Sequence, residues 1–100
     1  MATTSKVLVR AAAATSTATL YTVPASTTTV VTNILVTNSA ASAATFTLTL
    51  NSVDIFTTAA IAANSTAMFD LKQVLATTQI IAGFASAVTV KFHISGVEIV

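Results

Sequence analysis

The residues able to do chemistry in this chain are few: one histidine (His93), three carboxylates (Asp54, Asp70 and Glu98), four cations (Lys6, Arg10, Lys72 and Lys91), nine serines and no cysteine. A nucleophilic hydrolase needs a serine activated by a histidine that an acid orients. His93 is the sole base of that kind, it alternates with Lys91 on the polar side of a period-two segment, and the chain has no G-x-S-x-G run. Paired carboxylates are the other route to acid–base work, yet each of the three acids sits in its own segment. His93 and these acids also lack any metal-ligand spacing. Gly83 and Gly96, the only glycines, are too few for a phosphate-cradling loop. The expectation is a chain that is not an enzyme and has no catalytic, cofactor or metal residues.

Composition points the same way. Among 100 residues, 20 are Ala, 20 Thr, 12 Val and 9 Ser, and only 7% are charged, against about a quarter in ordinary soluble domains. Four scattered cations do not form the cluster that displaces phosphate counterions, so a nucleic-acid partner is not expected. Mean hydropathy is +0.86, but Thr, Ser and Asn interrupt the uncharged stretch from residue 11 to 53 every few positions, and Pro24 lies within it. No run reaches the roughly 18 apolar residues of a spanning helix, and six aromatics do not supply a barrel's girdles. No membrane partner is expected, and Lys6 and Arg10 lack the apolar segment that would follow them in a secretory leader.

The elements that must carry these residues are strands. Val, Ile, Thr, Phe and Tyr total 45 and alternate at period two in several windows. Along residues 45–50, Phe46, Leu48 and Leu50 face a core and three threonines face out. Along 88–94, Val88, Val90, Phe92 and Ile94 point inward, with Thr89, Lys91 and His93 outward. The parity then changes, since Val97 and Ile99 flank Glu98, and an extra residue at Gly96, in a bulge with positive φ, would turn Glu98 outward. Further strands are expected over 6–11, 17–23, 28–38, 53–57, 66–71 and 79–85, about eight in all. The turn clusters between them are rich in Asn, Ser and Ala, which are expected to turn without positive φ. Asn64-Ser65-Thr66 matches a glycosylation sequon but is also ordinary turn chemistry. The Thr45, Thr47, Thr49 ladder reads as a solvated face rather than an ice- or glycan-binding array, its one possible second copy being Thr15, Thr17, Thr19.

One segment carries more apolar side chains than a single core can use. Over residues 28–38, Val30, Ile34 and Val36 fall on one face by simple alternation, and Val31 and Leu35 on the other. A strand apolar on both faces must be covered on both, and no helices are at hand to do it. A second subunit is the expected cover, making Val30, Val31, Ile34, Leu35 and Val36 the candidate interface. Low charge agrees with obligate association, and a cyclic homo-oligomer, with a trimer favoured, is the simplest closure.

The run Leu20-Tyr21-Thr22-Val23-Pro24-Ala25, with Thr28-Thr29-Val30-Val31 and Ile34-Leu35-Val36-Thr37-Asn38 after it, resembles the opening of small virion structural proteins of tailed bacteriophages. Ile61-Ala62-Ala63-Asn64-Ser65-Thr66 resembles their middle segment, and residues 86–99, from Ser86 through Phe92 and Gly96 to Ile99, their close. The resemblance covers about residues 19–100. It departs between Leu50 and Ile61, where similar proteins often carry a longer polar insertion that would bear a receptor-binding loop. It implies a small β-sandwich subunit of the phage particle, either a capsid decoration (cement) protein or a tail, neck or fibre-associated component. The fold expected is therefore all-β, a single antiparallel, jelly-roll-like β-sandwich over residues 1–100, with 1–5 as a flexible N-terminal arm. The partners expected are further copies of the chain and a major capsid or other virion protein. A carbohydrate-binding module is the weaker alternative, because Tyr21 is the only Tyr and Trp is absent.

Overall fold

The computed structural model describes residues 2–100. It contains β1 (Thr3–Ala12), β2 (Ala18–Thr22), β3 (Thr28–Asn38), β4 (Ala44–Leu50), β5 (Val53–Ile61), β6 (Ser65–Leu75), β7 (Ile80–Ala85) and β8 (Val90–Ile99). The first sheet has the order β1-β8-β3-β6 and the second β2-β7-β4-β5, all neighbours antiparallel. The pairs β1·β8, β2·β7, β3·β6 and β4·β5 are those of one long hairpin rolled up so that its successive parts alternate between sheets, which is the jelly roll. Its tip is the two-residue turn Asn51-Ser52 between the paired Leu50 and Val53, with φ of 51° and 65°. Two successive left-handed residues match the twist of the flanking strands. Ser26, Asn64 and Thr78 also adopt positive φ in connections. The glycine-poor turns thus use the left-handed region after all, with Asn, Ser and Thr accepting its modest strain.

Period-two alternation builds the core. Phe46, Leu48 and Leu50 of β4 and Val90, Phe92 and Ile94 of β8 are buried as their spacing predicts, together with Val23, Ile61, Leu75 and Ile81. Phe46 lies at the centre of an aromatic group, with ring centroids 5.5 Å from Phe56, 6.4 Å from Phe69 and 6.2 Å from Phe92. Asn38 is buried at one end of β3 with its amide fully used: Nδ2 donates to the carbonyls of Ser42 and Ala62, and Oδ1 accepts from the Ala40 amide and the Thr89 hydroxyl. Those bonds fix the chain between β3 and β4 at no cost in unpaired polar groups.

Four expectations change. Val88 lies in the turn before β8 and is exposed rather than core. The strand expected over 66–71 runs on to Leu75. Thr3, Thr4 and Ser5, expected in a mobile arm, pair with Ile99, Glu98 and Val97 of β8 as the start of an edge strand; Met1 lies outside the described residues. Finally, β8 has no bulge at Gly96, and neither glycine has positive φ. The extra residues sit in its neighbours, Leu8 in β1 and Thr32 in β3, where pairing steps from Ile94 to Ser95 and from Ser95 to Gly96. Gly96 is required for space instead: a Cβ there would meet the Val30 carbonyl oxygen at 2.2 Å and Leu8 Cδ1 at 3.0 Å.

Candidate functional site: the outer face of the first sheet

With β8 unbroken, its inward row is Val90, Phe92, Ile94, Gly96 and Glu98, and its outward row is Lys91, His93, Ser95, Val97 and Ile99. Glu98 therefore points between the sheets near one end of the sandwich, the reverse of what its apolar neighbours imply. It is bonded there: the Tyr21 hydroxyl donates to it, Lys6 Nζ lies 3.3 Å away, and its side chain is 12% exposed. Tyr21, from the second sheet, also touches Thr29 Oγ1 at 2.9 Å, so the cluster ties β1, β2, β3 and β8 together. The bond from Tyr21, helped by Lys6, holds the Glu98 carboxyl below the ordinary glutamate value despite desolvation. Burial, reinforced by Glu98, pushes the Tyr21 phenol up. A phenol engaged in this way is not an open stacking platform for a sugar.

The cluster binds strands to each other, and the other acids lie elsewhere. Asp54 on β5 accepts from the Thr57 hydroxyl, and Asp70 is exposed on β6. His93 lies on the outer face of the first sheet between Arg10 and Leu35. Among the described residues, no group of three or more His, Asp or Glu could hold a metal ion. A shallow groove of about 360 Å³ runs over the bulged part of the first sheet, lined by Ser5, Lys6, Val7, Thr32, Ser95, Gly96 and Val97. It contains no acid or histidine.

The same bulge decides which aliphatics of β3 face out. Because Thr32 is an extra residue, the inward set passes from Thr29 and Val31 to Ile34, Val36 and Asn38. Of the five aliphatics proposed for an interface, Val31, Ile34 and Val36 are buried within the subunit's own core, while Val30 and Leu35 face outward and are half-buried. Uninterrupted alternation had put Val30 with Ile34 and Val36, and the bulge regroups them. Cross-strand pairing completes the face. Ser5, Val97, Val30 and Val74 form one row, Val7, Ser95, Asn33 and Asp70 the next, and Arg10, His93, Leu35 and Met68 a third. Met68 and Val74 are 65% and 67% exposed. The sequence carries signals for this surface in Val97 and in Met68 and Val74, which lie off the inward Ala67, Phe69 and Leu71 row of β6, but the strand order that sets them beside Val30 and Leu35 is not local information.

No family model matches the chain, and no curated protein matches it. Among solved structures it is similar to a pentameric capsid protein isolated from metagenomic phage sequences, with a TM-score of 0.43 and 16% identity over 90% of this chain. The match takes in 58% of that protein, so the chain spans less than two thirds of its neighbour's length.

Charge is divided unevenly between the sheets. Lys6, Arg10, Lys72, Lys91 and His93 are all on β1, β6 or β8, whereas the second sheet's strands carry one charged residue, Asp54. The outer face of the first sheet is thus mixed, with Val30, Leu35 and Val97 beside the polar Asn33, Ser95 and His93 on the two central strands and the exposed Met68 and Val74 on the edge strand β6, and so broad a surface fits a protein better than a small molecule.

Proposed function

We propose that the chain is a non-enzymatic structural subunit of a bacteriophage particle, a capsid decoration (cement) protein that binds the shell as a homo-oligomer and reinforces the joints between capsomers. The observation that carries this reading is the set of aliphatic and Met side chains facing outward from the first sheet, Val30, Leu35, Met68, Val74 and Val97, on a jelly roll whose titratable cluster among the described residues, Tyr21, Glu98 and Lys6, ties its own strands together. Jelly rolls serve in capsids, lectins and cupins alike, so the fold alone does not choose among them. The engaged Tyr21 disfavours a lectin-like sugar site, and the scattered acids and lone His93 disfavour a cupin-like metal site. The resemblance of residues 19–100 to small virion proteins of tailed phages supports the phage particle as the setting and a major capsid protein as the partner.

The test is the composition of purified particles of the phage that encodes the chain. A decoration role predicts copies comparable in number to the shell subunits, and particles lacking the chain should release their genome at lower temperature. A few to a few dozen copies would place it in the neck, tail or fibres instead, and absence from the particle would overturn the virion reading.

A further inference from the structure

Building on that reading, we infer that the outer face of the first sheet pairs with the same face of a second copy, about a two-fold axis running along the strands between β8 and β3. The size of the face sets the geometry. Four strands about 4.8 Å apart and about ten residues at 3.3 Å rise give roughly 600 Å² per copy, and stable interfaces bury at least about 1,200 Å² in total. Two such faces reach that figure only if each is covered from border to border. For a two-fold along the strands that requires the axis to lie between the two central strands, which sets β8 over the partner's β3 and β1 over the partner's β6.

This placement is complementary in detail. Rows are kept by the rotation, so Val97 lies over the partner's Val30, His93 over the partner's Leu35 and, in the row between them, Ser95 over the partner's Asn33. At the borders, β1 with Arg10 lies over the partner's β6, where Asp70 is one row away, about 7 Å along the strand and within reach of an extended arginine. Because the contact is isologous, the pair Arg10 to Asp70 forms twice. Neither side chain has a hydrogen bond or ion pair within the subunit among the described residues. Lys72 and Lys91 remain at the rim, and Lys91 is already bound to the Ser39 hydroxyl, so their charge stays solvated. A face used in this way closes with one partner; a trimer would need a different surface.

The test is sedimentation equilibrium of the purified full chain across micromolar concentrations. The expected mass is twice the 10.1 kDa of the chain. Arg10→Asp and Asp70→Arg should each weaken association by about tenfold or more, and the double variant Arg10→Asp with Asp70→Arg should restore most of it, as only a crossed ion pair does. Leu35→Asp should abolish pairing, while Thr19→Lys on the exposed side of β2 should leave it unchanged. Circular dichroism checks that each variant keeps its strands, and the Arg10 and Asp70 variants are free of core changes if Leu35→Asp fails to fold. A monomer at all concentrations overturns the proposal, as does an oligomer that ignores the charge swap. A dimer that is absent from phage particles leaves the pairing intact and defeats only the virion role.

Discussion

Along β4 in the second sheet, the outward Thr47 and Thr49 are spent on the subunit itself: Thr47 Oγ1 accepts from the Thr58 amide and Thr49 Oγ1 donates to the Ala82 carbonyl. Along β3 in the first sheet, the outward Val30 and Leu35 have only neighbouring outward side chains to touch, among them the exposed Met68 and Val74. Both strands lie within their sheets, and both send Phe, Leu, Ile or Val into the shared core. The difference is confined to the outer faces. Threonine hydroxyls bond backbone groups on both, Thr32 Oγ1 donating to the Ser95 carbonyl on the first, but the first also leaves Met68 and Val74 about two-thirds exposed and carries most of the chain's charged side chains. Stability of the subunit therefore rests on the inner faces of both sheets, and the proposed recognition on the outer face of one.

The sharpest way to break that comparison is to place a charge on each face of one strand. Val31→Asp buries an unpaired carboxylate in the core, which costs several kcal/mol, so the protein should be unfolded by circular dichroism at room temperature. Leu35→Asp, four residues on, should remain folded and lose only association. Core and close-packing changes come next. Phe92→Ala should cost about 3–5 kcal/mol in a urea melt. Gly96→Val should cost about 3 kcal/mol or more, because the new side chain meets the Val30 backbone, which cannot move without opening the β3·β8 ladder.

Smaller effects separate the inward cluster from the outward face. Tyr21→Phe removes the hydrogen bond to Glu98 while keeping the ring, and should cost about 1–3 kcal/mol in the same melt. Glu98 adds an acid dependence. Its folded-state pKa is lowered, so its contribution is complete above the ordinary glutamate value of about 4.3 and fades as pH falls through the lower folded value. The thermal midpoint of wild type should fall over that range, and Glu98→Gln should flatten that part of the profile. The smallest change is expected from His93→Ala, within about 0.5 kcal/mol for the dilute, unassociated subunit, since an outward position forms no part of the core.

All eight strands were legible because the alternation that defines them is local, and the expected 28–38 coincides with β3 from end to end. The rolled order of the strands is not local, and neither is a bulge in a neighbouring strand. The segment Gly96-Val97-Glu98-Ile99 shows a change of apolar parity, and placing the irregularity inside that segment is the simplest local reading. The structure resolves the same pattern differently: β8 runs straight, Leu8 and Thr32 are the extra residues, and Glu98 turns inward because Tyr21 and Lys6 meet it there. Two of those partners are more than seventy residues away in sequence. The outward surface was half legible for the same reason. Val30 and Leu35 stood out as surplus aliphatics, whereas Met68, Val74 and Val97 join them only once β6 and β8 are known to flank β3.

The central claim, that the first sheet's outer face is the one covered on assembly, is tested most directly by hydroxyl-radical footprinting as protein concentration is raised through the association range. Met68 on the first sheet and Phe84 on the second provide an oxidisable reporter for each outer face. Labelling of Met68 should fall as the protein associates while labelling of Phe84 stays constant. Constant labelling of Met68 in an associated protein, or protection of Phe84 in its place, would contradict the account.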